Sequence, residues 1–173
     1  MTSRRVTGYR RGRKLELELL PIGNGQWLDR PAAEAFLAMY EHALRDGIKL
    51  AANSGHREHE HQKKLRADYE RLLDIWKLTP PSERGPEPRV AAPAGWSDHE
   101  AGDAVDINRA SGDDPRTQEP DSPTDKWLAA HAWKYGFLRT VRSEPWHFAH
   151  RPEAFAGTGL AMIMPAGGSP LVG

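Results

Sequence analysis

Two short pieces of this chain, AGDAVDIN at residues 101–108 and PWHFAH at residues 145–150, alternate in a way that only a strand can use. Successive side chains of a strand face opposite sides. Val105 and Ile107 therefore share one face while Ala104, Asp106 and Asn108 share the other, and Trp146 and Phe148 point away from His147 and Ala149. Each strand puts large apolar groups into a core and presents one metal-capable side chain, Asp106 or His147, on its opposite face. A fold that satisfies both pieces needs a small sheet with a packed face and a chemically equipped face.

The rest of the chain supplies strands and helices to go with them. Lys14 to Leu20 (KLELELL) alternates charge and leucine, which predicts a half-buried strand ending at Pro21 and the Gly23-Asn24-Gly25 turn. From Asp29 to Gly47 the pattern predicts a helix, with Asp29 as cap, Pro31 in its first turn and Phe36, Tyr40, Ala43 and Leu44 at helical spacing. Ile48 to Asn53 reads as a short strand. A second helix runs from about Glu58 to Trp76, its apolar stripe being Leu65, Tyr69, Leu72, Leu73 and Trp76. Pro80, Pro81, Gly85, Pro86, Pro88 and Pro93 make 79–95 an irregular connection, long enough for a rim or lid, and Arg109 to Asp121 reads as a second one. Ser122, Pro123 and Asp125 open a third helix with an acidic variant of the capping box, ending near Gly136. Phe137 to Val141 and Trp146 to Ala149 read as paired strands, and Trp127, Trp133 and Tyr135 as core or rim aromatics. The expected fold is a single α+β domain, a small and mainly antiparallel sheet packed on helices, at residues 14–155. A basic, frayed segment (1–13) precedes it and a loosely held tail (156–173), rich in Gly, Ala and Pro, follows.

Composition narrows the chemistry. At 173 residues the chain can bury one proper core. Lys plus Arg and Asp plus Glu stand at 24 each, so no overall basic field directs it to nucleic acid or to an anionic membrane. Cysteine is absent, which removes disulfides and thiolate metal sites and leaves His and carboxylate as the only strong ligands. No apolar run is long enough to span a bilayer, and the first twenty residues lack the unbroken apolar stretch of a secretory signal.

His99, seven residues before Asp106 across a loop relaxed by Gly102, adds a third ligand to Asp106 and His147. Two His and one carboxylate around an open position form the set expected for a catalytic zinc, which leaves room for a water. Glu144, held near His147 by the Pro145 turn, is placed to take a proton from that water. This is peptide-hydrolase chemistry.

The same residues carry a family resemblance. SDHEAGDAVD (Ser97 to Asp106) fits S-x-H-x-x-G-x-A-x-D at every fixed position, and EPWH (Glu144 to His147) fits E-x-W-H. Together they resemble the zinc D-Ala-D-Ala carboxypeptidases of the M15 peptidase family, the VanY type, which share a fold with the Hedgehog signalling domain. SGHR followed by Gln62 is similar to that family's S-G-[YF]-R segment, and the likeness covers roughly residues 14–150. The resemblance implies that His99, Asp106 and His147 hold Zn2+ and that Glu144 is the general base. It implies that Arg57 stabilises the oxyanion over the substrate, with Gln62 and Ser97 as candidates for substrate hydrogen bonds. His56 in place of the usual aromatic, Glu58 after the arginine, and Asp103 beside the zinc loop depart from the pattern and bear on substrate preference.

The implied function is zinc metallopeptidase action on peptidoglycan stem peptides or their precursors, removing terminal D-Ala as a monomer in the periplasm or cell wall. A D-Ala-D-Ala dipeptidase and an L-Ala-D-Glu endopeptidase share the machinery, and a Hedgehog-like zinc-stabilised binding module is the non-enzymatic alternative. SGHREHEHQKK (54–64) is the chain's densest histidine window, yet it is not the expected metal site. Two residues advance a helix by about 200 degrees, so His59 and His61 diverge. What the window supplies is Arg57, at the passage from strand to helix.

Overall fold

The computed structural model describes residues 2–109, 121–159 and 162–163. The basic start is ordered, not frayed: strand β1 (Arg4–Arg10) pairs antiparallel with β2 (Arg13–Gly23), from Arg4 opposite Leu19 to Arg10 opposite Arg13. Arg11 and Gly12 close the hairpin with φ of 51° and 77°, the two-residue geometry whose twist matches the strands. Its charges read as solvated because β1 is an edge strand, where arginines discourage further pairing. Gly8 is the exception, since a Cβ there would lie 2.7 Å from the Glu100 carbonyl. A second hairpin through Asn24 and Gly25, both at positive φ, leads to β3 (Gln26–Asp29), so β2 continues past Pro21 with an irregularity before Gly23. The three strands form a sheet of their own.

Helix α1 (Arg30–Arg45) begins after Asp29 with Pro31 in its first turn, as the sequence predicts. The Asp29 carboxylate, however, accepts from the Glu18 amide across the sheet and makes no helix cap. Ala32, Ala33, Ala35, Phe36, Met39 and Ala43 are buried, each large apolar member contributing about 1.5–3 kcal/mol. Leu44 faces outward. Gly47, at φ 75°, ends the helix by donating to the Leu44 carbonyl while Ile48 reaches back to Ala43.

After β4 (Leu50–Ser54) comes α2 (His59–Leu78), which differs most from expectation. Gln62 is its one buried side chain among those described; of the expected apolar stripe Leu65, Tyr69, Leu73 and Trp76 are only half-buried and Leu72 is exposed. The irregular connection doubles back along the helix instead of covering a core. Trp76 Nε1 donates to the Gly85 carbonyl, Arg66 to Ala91 and Gln62 to Ala92.

Strand β5 (Ala104–Arg109), helix α3 (Pro123–His131) with a following 3-10 turn at Ala132–Tyr135, strands β6 (Phe137–Arg139) and β7 (His147–His150), and a last 3-10 turn at Pro152–Phe155 complete the described elements. Most of the irregular stretch expected at 109–121 lies outside the described residues, as does most of the expected tail. Ser122 Oγ accepts from the Asp125 amide, and Asp125 returns its carboxylate to the amide of Asp121, one residue earlier than a capping box would use. The second sheet is antiparallel throughout in the order β4-β5-β7-β6. Leu50, Ala52, Val105, Ile107 and Phe148 on its inner face meet α1, Trp127, Leu128 and Tyr135 in one core. Trp146 is buried but sits outside that cluster, beneath the Arg89 guanidinium.

Candidate metal centre

Register alone brings two of the three expected ligands together. Asp106 on β5 and His147 on β7 are direct partners across the sheet, and Asp106 Oδ1 lies 3.1 Å from His147 Nδ1. His99 arrives from the loop before β5, a series of tight turns in which Glu100 donates to Ser97, Ala101 to Asp98 and Gly102 to His99. Gly102 can turn into β5 because it adopts φ 68° with its α-carbon against Asp29, where a Cβ would meet the Asp29 amide at 2.9 Å. His99 Nε2 then lies 3.4 Å from the same Asp106 oxygen, and the two imidazoles are 5.0 Å apart. One donor atom from each of the three residues falls within 4.8 Å of the others.

The surroundings suit a metal. Both histidines are almost fully buried. His99 Nδ1 is 2.8 Å from the Gly55 carbonyl, which can only accept, so the proton sits on Nδ1 and Nε2 keeps its lone pair facing Asp106. Burial alone would raise the Asp106 pKa, but the two histidines that face it, His147 and His99, hold it below the ordinary carboxylate range. Two neutral imidazole nitrogens and a carboxylate are a borderline-ion donor set, and they fit zinc.

Arg57 stands beside the centre. Its amide donates to the His99 carbonyl at 3.0 Å, its Nη1 donates to Gln62 Oε1 at 2.9 Å, and its Nη2 reaches Ser54 Oγ at 3.4 Å. Burial lowers the Arg57 pKa, opposed by the charges of Asp106, Glu100 and Glu144, so all four groups share one electrostatic neighbourhood. Gln62 is buried with its amide engaged at both ends, by Arg57 and by the Ala92 carbonyl. Glu144 lies in the turn before β7, its amide bonded to Val141 and its carbonyl accepting from His147. No hydrogen bond occupies its carboxylate among the described residues. Ser97 is buried, and its amide donates to Glu100 Oε2.

Two residues organise the loop in ways the sequence reading did not assign. Glu100, 1% exposed, accepts from the Gly95 and Ser97 amides and faces His59 Nδ1 at 2.6 Å. His59 in turn stacks on Tyr9 at 3.9 Å, so the metal loop, α2 and the N-terminal hairpin meet at one carboxylate. The available signal was an uncharged loop, Ala91 to Trp96, followed closely by a lone glutamate between two motif positions. Asp103 turns away from the ligands to bond Arg10 and Arg151. These three residues border a cleft of about 530 Å³ that also reaches Ser97 and His150. None of His56, His59 or His61 belongs to a potential metal-holding group among the described residues.

Residues 25–153 match the VanY family, D-alanyl-D-alanine carboxypeptidase. The chain is 32% identical over 136 residues to YodJ of Bacillus subtilis (strain 168), which covers 72% of this chain and 46% of that protein. The chain spans less than half the length of the first curated relatives it matches. Two solved VanY structures share the fold. The zinc complex of a variant from the VanB-type cassette superposes with a TM-score of 0.60 at 23% identity, covering 78% of each chain. The D-alanine-D-alanine complex of VanYB gives 0.61 at 24% identity, covering 85% of this chain and 86% of the other.

Proposed function

Because this chain belongs to the VanY family of D-alanyl-D-alanine carboxypeptidases, we propose that it is a zinc-dependent D,D-carboxypeptidase that removes the terminal D-Ala from peptidoglycan stem peptides. The observation that carries this reading is the convergence of His99 Nε2 and His147 Nδ1 on one oxygen of Asp106, with the Arg57 guanidinium beside them. Similar folds bind Zn(II) and D-alanine-D-alanine in VanY of the VanB type, which supports carrying both groups over.

His99, Asp106 and His147 would hold the ion. When bound, zinc supplies a Lewis acid that polarises a carbonyl and acidifies the attacking water. Glu144 takes the proton from that water and returns it to the leaving D-Ala amine, a relay open to a carboxylate that no hydrogen bond occupies among the described residues. Arg57 meets the charge that develops on the carbonyl oxygen of the scissile bond. It is a permanent cation already fixed by Gln62 and Ser54, so no reorganisation is needed at the moment of reaction. Gln62 acts through Arg57, and Ser97 lines the approach.

The test is product analysis by mass. Zinc-loaded protein is incubated with a stem pentapeptide ending in D-Ala-D-Ala, the same peptide amidated at its C-terminus, free D-Ala-D-Ala, and sacculi. Release of a single D-Ala from the free-acid pentapeptide, sharply reduced by amidation, is the expected result. Equal cleavage of the amidated peptide points to an endopeptidase, turnover of free D-Ala-D-Ala alone to a dipeptidase, and no cleavage to a binding module.

A further inference from the structure

A second set of ligand-bearing side chains gathers where α1 and α3 end, sharing no residue with the first. His42, Asp46 and His131 bring one donor atom each to within 4.8 Å of one another. His42 and Asp46 are one turn apart, with Nε2 3.4 Å from Oδ2. His131 closes α3, its ring edge-on to His42 at 5.2 Å.

Each group is already oriented by a neighbour. The Trp127 carbonyl lies 2.9 Å from His131 Nδ1 and can only accept, so His131 carries its proton there and leaves the Nε2 lone pair available. The Tyr135 hydroxyl lies 2.8 Å from His42 Nδ1, the nitrogen remote from Asp46. Trp127 Nε1 donates to Asp46 Oδ2 at 2.7 Å and fixes the carboxylate plane. The Gly55 carbonyl serves His99 in the same way, and outer partners of this kind characterise metal-ligating histidines. The negative ends of two helices add a field that favours a cation. Asp46 keeps its charge, since the Trp127 hydrogen bond lowers its pKa. Arg45 is itself exposed, so water screens its opposition to a bound ion. Asp46 and His42 keep 42% and 24% of their side-chain surface, enough for an ion and its waters to enter.

We propose that His42, Asp46 and His131 form a second divalent-metal site, which takes a borderline transition ion such as Zn2+ or Ni2+ and ties the end of α1 to the end of α3. Two imidazoles and one carboxylate suit such ions and not Mg2+ or Ca2+, which prefer all-oxygen shells.

Chelator-stripped full-length protein is titrated with Zn2+ by calorimetry, and with Ni2+ while tryptophan fluorescence is followed. Trp127 stacks on His131 at 4.6 Å and bonds Asp46, so an ion at this site quenches it. Wild type should bind two equivalents of Zn2+, and Asp106→Ala should retain one together with the Ni2+ quench. Adding His131→Gln to Asp106→Ala should abolish both. Asp46→Asn, at an exposed position, repeats the test with little risk to folding, and circular dichroism verifies each variant. A single equivalent in wild type that Asp106→Ala loses overturns the proposal, and so does a quench in Asp106→Ala that survives both His131→Gln and Asp46→Asn.

Discussion

Arg57 Nη1 donates to Gln62 Oε1 at 2.9 Å, and this bond turns a long, flexible cation into one with a fixed direction. Gln62 is held by the Ala92 carbonyl, so the direction of Arg57 is set by the connection that folds back along α2.

Arg57→Lys should therefore fail despite keeping the charge, because an ammonium cannot span Gln62 and Ser54 together. A loss of about 10²–10³ in kcat with full metal content is expected, the scale of removing one oxyanion donor. Gln62→Ala should retain the metal and fall between wild type and Arg57→Lys. Steady-state kinetics with metal analysis on all three proteins provides the check.

Glu144 and Asp106 should separate chemistry from binding. Glu144→Gln is expected to keep its zinc and lose about 10²–10⁴ in kcat, the range for removing a general base. Asp106→Ala should lose the ion from this centre, since both facing imidazoles converge on the oxygen that it removes. Near-normal turnover by Glu144→Gln would shift the base to another carboxylate.

Glu100 should prove a stability residue. Its buried carboxylate takes two backbone amides and faces His59, so Glu100→Ala strands several partners at once and should cost about 3–5 kcal/mol. His59→Ala, which leaves the amide bonds in place, should cost clearly less. Urea denaturation of both variants measures the difference.

His150 and Asp103 make opposite demands on acid stability. Burial drives the His150 pKa down to about 4, below the roughly 6.5 of an unfolded chain, so the unfolded state binds more protons between these values and stability falls as pH drops through them. Burial pushes Asp103 up to about 6 despite Arg10 and Arg151, so its contribution is present at acid pH and is lost as pH rises through 6. The two largely offset each other in the wild type. His150→Gln removes one side, and its stability at pH 4.5 relative to pH 7 should exceed the wild-type difference by about 2–3 kcal/mol. Denaturation curves of both proteins at the two pH values decide this.

Much of the centre was legible because strand alternation and motif order both act locally. Val105, Ile107 and Phe148 had to face a core, and that put Asp106 and His147 on the opposite side. The starts of α1 and α3 were readable at Pro31, Ser122 and Pro123 for the same reason, although the cap expected of Asp29 was not made. What stayed hidden depended on contacts across the chain. The arginines of β1 look like a solvated tail until Leu17 and Leu19 offer a partner strand, and QWLD is too short to show a period. The leucines of α2 are spaced for burial, but the segment that covers part of the helix is the proline-rich connection, which has no pattern to match. Glu100 and the His42–Asp46–His131 group gain meaning only when separate elements meet.

Asp106 and His147 lie 41 positions apart, and His99 is aligned by a carbonyl 44 positions away. An unfolded chain would have to close loops of that length before it could present all three donors, so it holds no ready-made chelate. An ion held there thus binds the native state almost alone and stabilises it by mass action. Its escape into an excess of chelator would then be timed by the opening of the β5–β7 pair, making metal release a clock for the unfolding of the sheet.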